Sequence, residues 1–363
     1  MNGIPGPRSM VTRPLRVAMV VPPWYELPPA GYGGLEQVCA ALVDALVARG
    51  HSVTLFGAGR STGTLARFVP TVAQLQYERL GQTLPELLHV ARVNRLIGEG
   101  GFDVVHDHTV VGALTSGPRS IPTIATIHSS PTGQLGECLS HVPRSVALVA
   151  ISDAQRRQGA GLPWFATVYN GLSVNGLAKT RPSTGPVLWL ARFNPEKGPD
   201  LAIRACAEAG LPLVLAGKVR EPEEHRYLRE VIEPMAGPDV EIVVNGERQR
   251  TDRLLARARC LLLPIRWEEP FGMVLIEAMA VGTPVVALNR GAVPEIVRDG
   301  VTGFICDEPE QLPAALRRVD ELDPAACAEH VRANFSGELM ASGYEAVYQR
   351  WAARADLRRS RLG

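Results

Sequence analysis

Short β-branched runs alternate with amphipathic stretches along almost the whole chain, and no other feature narrows the possible folds as much, because that alternation describes parallel sheets covered by helices on both faces. In the first half, 16–21, 52–57, 103–107, 123–128, 147–152 and 166–169 read as strands. The stretch 35–49 reads as a helix with Leu35, Val38, Leu42, Ala45 and Leu46 on one face, ended by a left-handed cap at Gly50. Residues 177–186 carry Lys179, Pro182, Ser183 and Gly185 but no apolar period, so they read as a linker. A second series follows, with strands expected at 187–190, 213–216, 241–244, 260–264, 284–288 and 303–306. Its helices are expected at 200–209, 223–235, 253–258, 272–281 and 311–322. The apolar and aromatic stretch 335–351 comes after the second sheet has ended and is expected to cross back onto the first domain. The resulting division is 12–178, 186–335 and 336–363, and two domains imply a cleft.

Charge and cysteine usage exclude some classes of function. Lys plus Arg number 38 against 37 for Asp plus Glu, which argues against a surface-wide footprint for nucleic acid. The basic cluster Arg354, Arg358, Arg359 and Arg361 reads as a solvated tail. The six cysteines form no Cys-x-x-Cys pair and sit mostly among apolar neighbours, as in a reducing compartment. No stretch has the length of a membrane span or the apolar core of a signal peptide, so the expected location is cytoplasmic.

Ligands of open α/β sheets bind outside the carboxyl ends of the strands. There the chain places 31–34, His106, His128, Ser152, Arg192, Gly217, Lys218, Gly246 and Glu269. In the stretch Arg266-Trp267-Glu268-Glu269-Pro270-Phe271-Gly272-Met273-Val274-Leu275-Ile276-Glu277, two carboxylates eight residues apart flank a Pro-Phe-Gly turn that opens a helix. The backbone N–H groups near Gly272 and Met273 have no intrahelical partner and can hold a phosphate or a sugar hydroxyl. The plainer alternative is a buried amphipathic helix with two incidental glutamates. Arg192 and Lys197, five residues apart just past a strand, can converge on a pyrophosphate, with Gly217 and Lys218 at the next strand end; solvated loop charges are the alternative. Gly31-Tyr32-Gly33-Gly34 precedes a helix, but Glu36 occupies the third glycine position of a dinucleotide fingerprint, which counts against NAD. Asp-x-Asp is absent, and His106 and His108 have no third ligand at metal spacing.

The ordered set Gly33-Gly34-Leu35-Glu36, Val105-His106-Asp107-His108, Thr126-Ile127-His128, Asn170-Gly171, Arg192 to Gly198 and Glu269-x7-Glu277 resembles glycosyltransferase family 4 from about residue 15 to 351. The resemblance implies an α/β GT-B fold of two Rossmann-like domains facing across a cleft. It also implies sugar transfer from a nucleoside diphosphate with retention at the anomeric carbon, without a metal or any cofactor beyond the nucleotide sugar. Carried over by position, Arg192 and Lys197 neutralise the leaving diphosphate, Glu269 faces the sugar ring and Glu277 holds the ribose. Gly33, Gly34, Gly217, Lys218, Phe271, Gly272, Met273 and Val274 complete the donor site, the last four through backbone N–H groups. His128 orients the transferred sugar, while His106 and Ser129 stand on the acceptor side. The loops 24–30, 57–67 and 129–141 are expected to line the acceptor pocket, the last, with Pro131, Gly133 and Gly136, as a lid. The expected donor is a UDP-hexose, the commonest in the family, and the expected acceptor a small polar molecule, with a lipid-linked acceptor left open. An inverting relative would carry a histidine base after the first strand, where this chain has Val21-Pro22-Pro23-Trp24. A sugar phosphorylase or nucleotide-sugar epimerase on the same fold, or a non-catalytic nucleotide-sugar-binding subunit, are the alternative functions.

Overall fold

The computed structural model describes residues 13–29, 33–60, 63–117, 119–173 and 184–359. Gly31, Tyr32, Arg361 and most of the expected linker lie outside the described residues. Seven parallel strands form the first sheet: β1 (Arg16–Val20), β2 (Ser52–Ala58), β3 (Arg67–Val72), β4 (Val104–Asp107), β5 (Thr123–Thr126), β6 (Val146–Ala150) and β7 (Trp164–Thr167), in the order β3-β2-β1-β4-β5-β6-β7. Six form the second: β8 (Val187–Arg192), β9 (Leu213–Lys218), β10 (Val240–Val244), β11 (Leu261–Leu263), β12 (Val285–Leu288) and β13 (Gly303–Cys306), in the order β10-β9-β8-β11-β12-β13. In both sheets the order reverses beside the first strand of the half, which opens a crevice at the carboxyl edge there.

Burial explains why these runs are strands. Val17, Ala18, Met19 and Val20 of β1 are fully buried, as are Leu188 and Trp189 of β8, so both faces of each central strand are covered. β3, which the sequence reading left without an element, is half-exposed and carries Pro70, a residue that breaks a ladder in a central strand but is tolerated at a sheet edge. β7 begins two residues before the expected start. The single helix expected over 223–235 is instead an α-helical turn at Pro222–Tyr227, a π-helical segment at Leu228–Ile232 and a further short turn. The helix Gly34–Ala48 ends where expected, with Gly50 at φ +93°.

The final helix, Gly337–Arg359, does cross back. Met340, Ala341, Tyr344, Val347, Tyr348 and Trp351 share one apolar cluster with Val17, Met19 and Leu42 of the first half. The crossing begins where Gly171 meets the backbone of Ser336: a Cβ on Gly171 would lie 2.4 Å from the Ser336 carbonyl oxygen. Backbone hydrogen bonds from Leu172 N to Phe335 O (2.9 Å) and from Gly337 N to Leu172 O (2.7 Å) fix the join. Glu345 then accepts from Arg49 Nε at 2.7 Å and lies 2.8 Å from His51 Nε2. Between the sheets, Glu295 accepts from the backbone N–H of Asp153 (2.8 Å) and Ala154 (2.6 Å) and from the Tyr169 hydroxyl (3.0 Å), which caps the helix Asp153–Gln158 from the other half.

Candidate active site

The carboxyl edge of β1 faces those of β8 and β9 across a cavity of about 1100 Å³, which brings together Gly33, Gly34, Arg192, Lys197, Lys218 and Glu269. Ser129, Gly272, Met273 and Val274 also line it. Lys197 is held from several directions. Asn194 Oδ1 accepts from its backbone N–H at 3.1 Å, Trp189 Nε1 donates to its carbonyl at 2.9 Å, and Gly198 closes the turn at φ +65°. A Cβ on Gly198 would lie 2.1 Å from the Pro264 carbonyl oxygen, so this turn excludes other residues on two counts. The Lys197 ammonium lies 2.7 Å from Glu269 Oε2 and 4.2 Å above the Trp267 ring, whose Nε1 donates to the same carboxylate oxygen at 3.0 Å. A cation and a carboxylate are thereby held side by side at the cavity wall, with rotamers fixed by an indole.

The other cations are held more loosely. Arg192 is half-exposed and 3.3 Å from Glu224. Lys218 and Arg220 stand 5.4 and 4.8 Å from the ring of Tyr25, which reaches across from the first half, and the Arg220 guanidinium hydrogen-bonds the Tyr25 hydroxyl. Burial, then the neighbouring Arg220, lowers the Lys218 ammonium to about 8. Glu36 borders the same cavity; burial pushes its carboxyl up while Lys218 and Arg220 pull it back. Trp267, Glu224 and Arg220 were missed in the sequence because none has a distinctive spacing, and Tyr25 was placed only within the loop 24–30, without its partners. Only the cross-cleft geometry collects them.

Glu277 occupies a second cavity of about 530 Å³ with Gln37, Arg248 and Asp252. Its helix Met273–Ala280 starts from Gly272 at φ +86°, as the Pro-Phe-Gly turn predicts. Both Glu277 oxygens are buried without a hydrogen-bond partner, and the nearest cation, Arg248, is 3.8 Å away. An ion pair between Glu277 and Arg248 is therefore not closed to hydrogen-bond distance. Burial pushes the Glu277 carboxyl up to about 7, against the pull of Arg248. Gln37 Nε2 is likewise buried and unsatisfied, so this cavity presents both an acceptor and a donor without partners.

His128, half-buried, borders a third space of about 220 Å³ with Gly34, Glu269, Phe271, Gly272 and Met273. The structure corrects two other assignments. His106 is fully buried, its Nδ1 2.7 Å from Tyr348 Oη and its Nε2 2.8 Å from Thr126 Oγ1. It anchors the last helix under the strand ends and borders none of these cavities, so it is not an acceptor-side residue. Gly217 borders only a small crevice between β8 and β10; a Cβ there would lie 1.8 Å from the Ala191 carbonyl oxygen, so the neighbouring strand, rather than a donor phosphate, requires glycine.

The comparisons agree with this geometry. The model described as glycosyl transferases group 1 matches residues 181–332, and the one described as glycosyltransferase family 4 matches residues 32–174. A glycogen synthase of Mycobacterium tuberculosis is 28% identical, with 88% of this chain and 89% of the relative aligned. A phosphatidyl-myo-inositol mannosyltransferase of Mycobacterium leprae is 28% identical over 92% of this chain and 96% of the relative. Among solved structures, AviGT4, a glycosyltransferase involved in avilamycin A biosynthesis, superposes with a TM-score of 0.70 at 24% identity, covering 94% of this chain and 98% of that one. HepE of Anabaena in complex with UDP-glucose superposes with a TM-score of 0.72 at 19% identity, covering 93% and 99%. The solved structures share the GT-B fold, and two family models laid end to end over both sheets place the protein among the glycosyltransferases of family 4.

Proposed function

We propose that the protein is a retaining hexosyltransferase that moves a hexose from a nucleoside diphosphate, UDP in the first instance, to the hydroxyl of a small acceptor. The division of labour follows the two sheets. Residues 186–335 hold the donor, residues 12–178 present the acceptor, and the helix Gly337–Arg359 returns to brace the first half. The observation that carries this reading is the Lys197–Glu269 pair on the cavity wall, 2.7 Å apart, with Arg192 and Lys218 lining the same space. Charge develops on the diphosphate as its bond to the anomeric carbon breaks, and preorganised cations act on that step. Glu269 accepts from sugar hydroxyls, the backbone N–H groups at Gly272 and Met273 face the phosphates, and Glu277 takes the ribose hydroxyls that would satisfy its unbonded oxygens.

Retention then follows from a front-side displacement. The bond from the anomeric carbon to the diphosphate oxygen breaks, the acceptor oxygen bonds to the same face, and its proton passes to the departing diphosphate. This chemistry uses no metal, so turnover is expected to survive EDTA unchanged. The test is incubation of the purified protein with UDP-hexoses and a panel of alcohols, the product's anomeric configuration being read by NMR. An inverted product, or a sugar bonded covalently to the protein, defeats the mechanism. Sugar phosphate released by inorganic phosphate without an acceptor identifies a phosphorylase instead, and donor binding without turnover identifies a non-catalytic subunit.

A second reading of the acceptor rests on one observation. Tyr77 and Leu80 line the cavity, are 49% and 47% exposed, and precede the exposed Leu84, Leu87 and Leu88 on the helix Thr83–Gly100. An acceptor with an apolar tail would cover that surface. Faster transfer to an alkyl-tailed alcohol than to its untailed counterpart, lost in a Leu84→Ser variant, would select this reading.

A further inference from the structure

Three neighbouring strands of the first sheet, β1, β4 and β5, each contribute one side chain to a chain of contacts that starts in the core and reaches the cleft at His128. They are Met19 from β1, His108 just after β4, and His128 just after β5. Their ring and sulfur atoms form one line: His108 Nε2 lies 3.1 Å from Met19 Sδ, and His108 Nδ1 lies 2.9 Å from His128 Nε2, with the two rings stacked 5.1 Å apart. The His108 backbone is pinned by its N–H to Val20 O at 2.9 Å. Resting on the transferase reading above, we infer that Met19 and His108 together fix the tautomer of His128, so that His128 presents a bare Nδ1 to the cleft and binds a substrate group that donates a hydrogen bond.

The argument is one of proton counting. A thioether has lone pairs and no hydrogen, so it can only accept. The His108 nitrogen facing Met19 must therefore carry hydrogen, and a neutral imidazole has one N–H, which leaves His108 Nδ1 as an acceptor. His128 Nε2 is then the donor across the 2.9 Å contact, and its own Nδ1 is left unprotonated. No hydrogen bond to that Nδ1 occurs among the described residues, and the side chain borders the space shared with Glu269 and Met273. Neutrality is secured by burial, which holds His106 and His128 down at about 3 and His108 well below the ordinary range.

Two consequences separate this from a general histidine contact. The site accepts a hydroxyl and rejects a group that can only accept, such as fluorine or a phosphate oxygen. Burial also lowers the basicity of His128, which disfavours it as the base and favours passage of the acceptor's proton to the diphosphate. His108 and Met19 touch no substrate and are positioning residues.

The test begins with the free protein, labelled with ¹⁵N-histidine, in which long-range proton–nitrogen correlations report each ring's tautomer without any substrate. A single Nε2–H form is expected for both His108 and His128. Met19→Leu removes the acceptor and is expected to give a tautomer mixture at both rings. His108→Leu is expected to release His128, whereas His108→Asn, whose side-chain oxygen stands near the lost Nδ1, restores the Nε2–H form. With a responsive donor identified, His108→Leu raises its KM about three- to tenfold, the worth of one neutral hydrogen bond, with a smaller change in kcat; His108→Asn reverses this. A hydroxyl-to-fluorine donor that loses affinity in the wild type but no further in His128→Ala locates the bonded hydroxyl. An Nδ1–H form of His128 in the free wild type overturns the inference whatever the turnover assays give. An Nε2–H wild type with no transfer activity would instead count against the function proposed above.

Discussion

Two buried glutamates, Glu277 in the second cavity and Glu345 on the returning helix, are 6% and 4% exposed and differ in almost everything else. Glu345 is saturated: Arg49 and His51 bond it, and the Arg49 hydrogen bonds hold its carboxyl below the usual range despite burial. Glu277 has no hydrogen bond at all, and burial raises its carboxyl to about 7. A buried carboxylate costs stability unless it is partnered, so the partnered one reads as structure and the unpartnered one as a seat awaiting a ligand.

The largest expected effect comes from the pair that challenges this rule. Lys197 and Glu269 are mutually satisfied yet line the cleft. If they serve the reaction, Lys197→Ala lowers kcat by about 100- to 1000-fold in steady-state assays while the thermal midpoint moves little. A loss of stability with turnover retained would make the pair structural and restore the simple rule.

Next in size, Glu277→Gln is expected to weaken donor binding about 10- to 100-fold by calorimetric titration, since it turns charge-assisted bonds to the ligand into neutral ones and leaves one donor misplaced. The same variant should be more stable than the wild type at pH 8. Above its unfolded value near 4.5 the unfolded chain releases the Glu277 proton and the folded protein keeps it, so stability falls as pH rises toward about 7 and then levels off. The full cost is on the order of 3 kcal/mol, and denaturant titrations across that range should show the slope in the wild type and lose it in the variant.

Glu345→Ala should do the opposite, costing about 2 kcal/mol of stability at neutral pH without changing donor affinity. With its carboxyl held low, the Glu345 contribution is fully present above about 4.5 and fades as pH drops through its folded value, so the variant's deficit should shrink in acid. The smallest effect is expected from Arg248→Ala, which sits 3.8 Å from Glu277 and should change donor affinity only a few-fold.

Much of this was legible before any coordinates, because two-sided burial writes itself into the chain as apolar runs. The helix Gly34–Ala48 and its Gly50 cap followed from local chemistry, and the returning helix from an apolar and aromatic stretch left over after the second sheet. β3 did not, since an edge strand with Pro70 has neither the apolar run nor the alternation. Position along the strands suggested which residues reach the cleft, and for Arg192, Lys197, Lys218 and Glu269 that held. It misjudged His106, because alternation tells which face a residue takes and not that Tyr348, 242 residues later, covers that face. The contacts of Tyr25 were illegible for the same reason: its loop was expected at the pocket, but its partners belong to the other sheet.

The returning helix also sets an order of events at the ribosome. Tyr344, Tyr348 and Trp351 fill the interior of the half that is synthesised first, so that half emerges with an apolar groove it cannot fill until the whole second sheet and the helix behind it have been made. The carboxy-terminal sheet can therefore mature while its predecessor waits. An amino-terminal fragment expressed alone should be sticky and chaperone-dependent, and supplying the helix as a separate peptide should rescue it.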